Sequence, residues 1–241
     1  MIAICLKVCD GDLVRELRGS FDADATVLDA LETLRAGQVG RAEQTGAPVE
    51  VPAYRHSCHH GSCGTCGAII NGLEALLCLT RIGELASPRP REPGGPKIDP
   101  ELDADGLLVV HLEPIRRGSL VAGIAARPTQ ALAGIPAELP YLMPVDGGPS
   151  TRVRFEACIE CGLCSSSCPV PAPFIGPAAL AALNRQRQKQ AEDAEAMLVL
   201  AGTPEGAAAC KRHLSCSRVC PQGVYPGKHI QLLKNALGGK V

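Results

Sequence analysis

The sequence predicts an α+β protein in two parts, a mixed sheet followed by a helical region. Three observations carry this: apolar alternation at the N-terminus, one amphipathic helix soon after it, and helical stretches filling the gaps between cysteine motifs from about residue 150. At 241 residues, with 46% of them hydrophobic, the chain is long enough to bury a core in each part. The expected boundaries are residues 1–100 for the sheet domain, 101–149 for a connecting segment packed on it, and 150–241 for the helical domain.

Ile2, Ile4, Leu6 and Val8 alternate with other residues, as in a strand with one face buried. A helix is expected next: Asp24-Ala25-Thr26 offers a cap, and Val27, Leu28, Leu31 and Leu34 recur at helical spacing until Gly37. After a polar loop, His56 to Gly67 holds three glycines, which let the backbone turn tightly. Asn71-Gly72 between apolar stretches reads as a hairpin turn. Residues 84 to 150 carry much of the proline, including Pro88-x-Pro90 and Glu92-Pro93-Gly94-Gly95-Pro96, and read as connecting structure. Within them, Leu107 to Leu112 resembles a strand that pairs back into the first sheet. Helices are predicted over Ala178–Gln190, Ala191–Leu200 and from Pro226 or Gly227 to Ala236. Thr203-Pro204-Glu205 has the form of a helix start, leading into a helix that carries Cys210. The polar run Asn184 to Gln190 reads as a solvated helix face.

Eleven of the thirteen cysteines fall into three groups. They are Cys58-x4-Cys63-x2-Cys66-x11-Cys78, Cys158-x2-Cys161-x2-Cys164-x3-Cys168-Pro169 and Cys210-x5-Cys216-x3-Cys220-Pro221. Thiolates are soft anionic ligands suited to iron-sulfur centres, and short loops between them let one backbone wrap a compact cluster. Structural zinc takes tetrahedral sets of four, usually two close pairs across a longer loop, a spacing these groups lack. Disulfides need an oxidising compartment, and MIAICLKVCDGD lacks the basic and apolar regions of an export signal.

In two-cluster ferredoxins the first three cysteines of such a run hold one cluster and the fourth reaches the other. Applied here, Cys158, Cys161, Cys164 and Cys220 form one set, and Cys168, Cys210 and Cys216 the other. Three residues after Cys210, where a fourth cysteine would sit, stands His213. Three thiolates favour a 3Fe-4S centre, with His213 an ordinary side chain of the pocket. The alternative is a His-capped 4Fe-4S cluster, since histidine replaces cysteine on iron in Rieske centres.

A formal net charge of -1 provides no basic field for nucleic acid, and three Phe, three Tyr and no Trp leave few base-stacking surfaces. No apolar stretch approaches a membrane span, so a soluble or peripheral protein is expected. His56, His59 and His60 flank a set already complete with four cysteines and read as solvent-facing or hydrogen-bonding side chains. Cys5 and Cys9, at even spacing on the first strand, read as buried thiols without a redox role.

The three cysteine motifs in this order resemble the iron-sulfur subunit of the succinate dehydrogenase and fumarate reductase family. The likeness spans nearly the whole chain and includes Phe174-Ile175-Gly176-Pro177-Ala178-Ala179-Leu180 and Cys220-Pro221-Gln222-Gly223. It implies an N-terminal beta-grasp, ferredoxin-like domain with a 2Fe-2S cluster on Cys58, Cys63, Cys66 and Cys78. It also implies an all-helical domain with a 4Fe-4S cluster on Cys158, Cys161, Cys164 and Cys220 and a 3Fe-4S cluster on Cys168, Cys210 and Cys216. By the same resemblance, electrons pass between FAD on a flavoprotein partner and quinone near a membrane-anchor subunit, on the cytoplasmic side of the inner membrane, and no residue here acts as acid, base or nucleophile. The chain departs from the family where the acceptor would bind: Val170-Pro171-Ala172-Pro173 runs directly into Phe174, Ala207-Ala208-Ala209 precedes Cys210, and Lys211 follows it. The alternatives are a related flavin-dependent reductase with a non-quinone donor or acceptor, or a free multi-cluster carrier.

Overall fold

The computed structural model describes residues 1–37, 50–90, 97–128, 158–189 and 194–238. The chain divides into two compact units, Met1–Arg127 and Pro128–Val241.

In the first unit, β1 (Ile2–Asp10) and β2 (Leu13–Phe21) form an antiparallel hairpin. Gly11, at φ 65°, supplies the left-handed turn that a two-residue loop requires. The sequence reading went from the first strand straight to a helix and missed β2. Its charged, largely exposed first half hides the alternation, although Asp10-Gly11 was an available turn signal. Strand β1 is also parallel to β7 (Leu108–Glu113), with Ile4 opposite Leu108 and Val8 opposite Leu112. This is the strand that the apolar run at 107–112 announced. Strands β3 (Gly67–Ile70) and β4 (Leu73–Leu76) complete the order β2-β1-β7-β3-β4.

Helix α1 (Val27–Arg35) begins with a reciprocal cap: Asp29 N–H donates to Thr26 Oγ1 at 3.1 Å, and Thr26 N–H donates to Asp29 Oδ2 at 2.9 Å. It buries Val27, Leu28, Ala30, Leu31 and Leu34. Leu34 lies against the sheet face of Gly19 and Phe21, which Ile4, Leu6 and Leu17 share. Side chains of this size gain about 1.5–3 kcal/mol each from full burial, which holds the helix on the sheet. The opposite face is also covered, so Cys5 is completely buried while Cys9 is half-buried.

The connecting region holds more structure than its prolines suggested. Helix α2 (Ile82–Leu85) is followed by the short antiparallel pair β5 (Arg89–Pro90) and β6 (Lys97–Ile98). After β7, β8 (Gly118–Ala122) and β9 (Ala125–Pro128) form a separate two-stranded sheet. Gly123 turns between them at φ 52°, and a Cβ there would come within 2.6 Å of the Ala53 carbonyl oxygen, which accepts from Ile124 and Ala125. Residues 91–96, most of the proline-glycine run, and 129–149 lie outside the described residues.

Every regular element described in the second unit is helical: α3 (Leu163–Ser166), α4 (Pro177–Lys189), α5 (Ala194–Ala201), a 3₁₀ turn (Ala207–Ala209), α6 (Ser215–Arg218) and α7 (Pro226–Ala236). Its core is built from Ala179, Leu180, Ala182, Leu183, Met197, Ala201, Ala207, Ile230 and Leu233. The small alanines allow α4 to approach α5 and α7 closely. Two local expectations fail. Thr203-Pro204-Glu205 does not open a helix that carries Cys210: the Thr203 hydroxyl donates back to Leu200 O at 3.0 Å, closing α5, and only the 3₁₀ turn at Ala207–Ala209 precedes Cys210, which is extended at φ -69° and ψ 120°. Nor is the polar run of α4 solvated throughout, for Asn184 and Gln186 are buried. Asn184 Nδ2 meets His229 Nδ1 at 2.9 Å and Asn184 Oδ1 accepts from Arg187 at 3.1 Å, so its polar atoms have partners inside. Residues 190–193, where the first helix was expected to end and the second to begin, lie outside the described residues. Among the described residues no helix is long and apolar enough to cross a membrane.

Thr26→Ala removes the hydroxyl that receives the Asp29 N–H. It should cost α1 about 1 kcal/mol, read as faster amide exchange in its first turn while α7 is unchanged.

Candidate metal centres

Cys58, Cys63 and Cys66 lie on the loop before β3, and Cys78 follows β4. The Asn71-Gly72 turn, at φ 49° and 80°, brings Cys78 back beside Cys66, their sulfurs 3.3 Å apart. Asn71 is pinned to β7 by its Oδ1, which accepts from His111 N–H at 2.7 Å. The N-terminus of α1 fixes the other side: Val27 N–H donates to Thr80 O at 2.9 Å and Leu28 N–H to Leu77 O at 3.1 Å, on either side of Cys78. The loop itself curls through left-handed residues His59, Gly61 and Gly64. At Gly61 a Cβ would fall 2.8 Å from the Leu79 side chain, so the close approach needs glycine.

Backbone donors point at these sulfurs. Ser62 and Cys63 N–H groups donate to Cys58 Sγ at 3.3 and 3.4 Å, and Thr65 N–H to Cys63 Sγ at 3.5 Å. Hydrogen bonding, from the Ser62 side chain first and the His60 backbone next, lowers the Cys58 thiol to about 5. Burial, then the neighbouring Cys66 thiol, pushes Cys78 up to about 12. The sequence singled out the cysteines but not the donors at Ser62 and Thr65, because no residue-type pattern marks a backbone N–H aimed at sulfur.

In the second unit two cavities gather the remaining motif cysteines. One is lined by Cys158, Cys161, Cys164 and Cys220, with Ala178, Val224 and Pro226 as apolar wall. The other is lined by Cys168, Cys210 and Cys216, with His213, Phe174 and Ile230 among its neighbours. Each motif therefore sends its last cysteine to the cavity of the other, because α3 and α6 carry Cys168 and Cys220 away from the preceding thiols. Burial raises Cys161 and Cys216 to about 11 and Cys164 further, and the neighbouring thiols add to the rise. Lys234 Nζ donates to Cys210 O at 2.9 Å, and Gly227 N–H to Ser217 Oγ at 2.9 Å, tying α7 to the third motif.

The flanking histidines engage other groups. His56 Nδ1 meets His59 Nε2 at 2.9 Å, His56 Nε2 lies 3.2 Å from Glu32 Oε1, and His60 Nε2 meets Ser62 Oγ at 3.0 Å. The Tyr54 hydroxyl donates to the same Glu32 carboxylate. The thiols of Cys5 and Cys9 are raised, chiefly by burial, which disfavours the reactive thiolate.

The donor chemistry fits iron-sulfur clusters. None of the thirteen cysteines, all of them among the described residues, forms a disulfide, and those of the second and third motifs gather around two cavities. The 2Fe-2S iron-sulfur cluster binding domain family matches residues 12–121, and the 4Fe-4S dicluster domain family matches residues 154–224. The fumarate reductase iron-sulfur subunit of Mycobacterium tuberculosis is 31% identical over 202 residues, 76% of this chain and 72% of that protein. This chain belongs to the succinate dehydrogenase/fumarate reductase iron-sulfur subunit family. The succinate dehydrogenase iron-sulfur subunit of Coxiella burnetii, 30% identical over 203 residues and 76% of each protein, is a further member similar to it. The fold is shared with a chain of the Mycobacterium smegmatis Sdh1 complex in the apo form, at TM-score 0.67 and 20% identity, over 99% of this chain and 97% of that one. Membership makes the chain an iron-sulfur subunit of the succinate dehydrogenase/fumarate reductase type of oxidoreductase.

Two outcomes are expected. Cys63→Ala should abolish the 2Fe-2S paramagnetic signal and leave the signals of the second unit's sites. With iron removed, Cys58 should be the first of its set to alkylate near neutral pH. Its reactivity should fall as pH drops through about 5, where the thiol regains its proton.

Proposed function

We propose that the chain relays electrons between FAD on a flavoprotein partner and quinone held with a membrane-anchor subunit, peripheral to the cytoplasmic side of the inner membrane. In this reading a beta-grasp domain holds a 2Fe-2S cluster on Cys58, Cys63, Cys66 and Cys78. An all-helical domain holds a 4Fe-4S cluster on Cys158, Cys161, Cys164 and Cys220, and Cys168, Cys210 and Cys216 supply three thiolates to a third iron-sulfur centre. The observation that carries the reading is the exchange of Cys168 and Cys220 between the two cavities, the arrangement of a two-cluster ferredoxin. When bound, the clusters supply one-electron redox chemistry.

The chain's own residues set how that chemistry is tuned. N–H donors from Ser62, Cys63 and Thr65 draw charge from the Cys58 and Cys63 sulfurs, which favours the reduced, more negative state. Apolar side chains of Ala178 and Val224 line one of the other two sets, and Phe174 and Ile230 the other. No residue of this chain is assigned a role as acid, base or nucleophile; the carbon substrate belongs to the flavoprotein. A second reading, with a soluble donor or acceptor in place of quinone, is supported by Ala207, Ala208, Ala209 and Lys211 beside Cys210, where the sequence leaves the family pattern.

The native complex should contain an FAD-bearing subunit, and succinate or fumarate should change the redox state of this chain's iron only when that subunit is present. A complex that responds to a different unsaturated acid would keep the relay and refute the substrate. A chain that purifies without any flavoprotein would favour the free carrier.

A further inference from the structure

The loops of the second and third motifs have the same backbone. In Cys158–Cys164 the residues on either side of Cys161 are left-handed, Glu160 at φ 53° and Gly162 at φ 78°, and Gly162 caps α3. In Cys210–Cys216 the residues on either side of His213 are left-handed, Arg212 at φ 59° and Leu214 at φ 60°, and Leu214 caps α6. The bonds that follow repeat as well: Ser165 and Ser166 N–H groups donate to Gly162 O, and Ser217 and Arg218 N–H groups to Leu214 O. Cys158, Cys161, Cys164 and Cys168 thus correspond position for position to Cys210, His213, Cys216 and Cys220. Arg212 and Leu214 hold a conformation that disfavours ordinary side chains, and strain of this kind persists where the surroundings require it. His213 lines its cavity beside Cys168, Cys210 and Cys216, as Cys161 lines the other beside Cys158, Cys164 and Cys220.

We propose that His213 is the fourth ligand of the third centre, holding a fourth iron through a neutral ring nitrogen, so that this centre is a His-capped 4Fe-4S cluster with no open corner. The inference rests on the three-cluster reading above. His213 is exposed, at the rim of its cavity. Its Nδ1 is bonded to the carbon next to Cβ, so its reach differs little from that of a thiolate sulfur. A neutral imidazole in place of a thiolate makes the centre less negative and raises its potential, as in Rieske centres.

The test is iron and sulfide content with electron paramagnetic resonance on the anaerobically purified holoprotein in its complex. The wild type should carry about ten irons per chain and show no oxidised 3Fe-4S signal. Its dithionite-reduced form should show nitrogen coupling at the third centre. His213→Ala should drop to about nine irons, gain the oxidised 3Fe-4S signal and lose the nitrogen coupling, while His213→Cys should restore the fourth iron at a lower potential. A wild type with about nine irons and an oxidised 3Fe-4S signal that His213→Ala leaves in place overturns the inference and leaves the three-cluster reading standing. About six irons, with no third centre of either kind, would overturn both.

Discussion

Thiolates brought into a shared cavity repel one another and lose water together, so each holds its proton unless a cation replaces it. Cys164 shows the constraint most clearly, raised first by burial and then by Cys161, Cys158, Cys216 and Cys220. The second unit depends on resolving this conflict. Its two motifs exchange their last cysteines between the two cavities, so in the proposed reading neither set is complete without the other and iron would displace protons from both. In that reading, metal binding and folding of these loops are coupled, with alkaline conditions favouring uptake. Cys58, drawn below its usual range by hydrogen bonds, is the exception.

The scaffold answers the same demand differently in the two units. In the first, the ligand loop is set by a sheet: β7 fixes Asn71, the hairpin returns Cys78, and α1 donates to the carbonyls around it. In the second, single helical turns do the aiming. Helices α3 and α6 each begin from a left-handed residue and carry the next cysteine across to the other cavity. The bonds from Lys234 to Cys210 O and from Gly227 to Ser217 then anchor the third motif on α7. Gly227 leaves no room for a side chain, since a Cβ would stand 2.9 Å from both Leu214 Cδ2 and Ser217 Oγ.

The polar interior of the second unit has a related logic. Asn184 is fully buried, yet it bridges His229 on α7 and Arg187 on its own helix. Burial keeps His229 below its ordinary range, with Arg185 and Lys228 adding to the effect, so it sits there as a neutral hydrogen-bonding group. A buried amide paired in this way fixes how α4 lies on α7, where the alanine-rich core alone would tolerate sliding.

The sequence by itself determined whatever is encoded over a few residues. Cysteine spacing marked the three cysteine groups, the Asp24-Ala25-Thr26 cap started α1, Asn71-Gly72 turned the hairpin, and Pro226 opened α7, because each depends on local geometry. Tertiary structure decided the rest. Strand β2 exists because β1 offers it a partner, despite exposed residues that blur its pattern. Asn184 and Gln186 are buried because the surrounding packing covers a face that looks solvated in sequence. Thr203 closes α5 instead of opening a new helix because its hydroxyl finds Leu200 O. The matching backbone at Cys161 and His213 was also beyond the sequence, since left-handed conformations at Arg212 and Leu214 leave no mark on residue type.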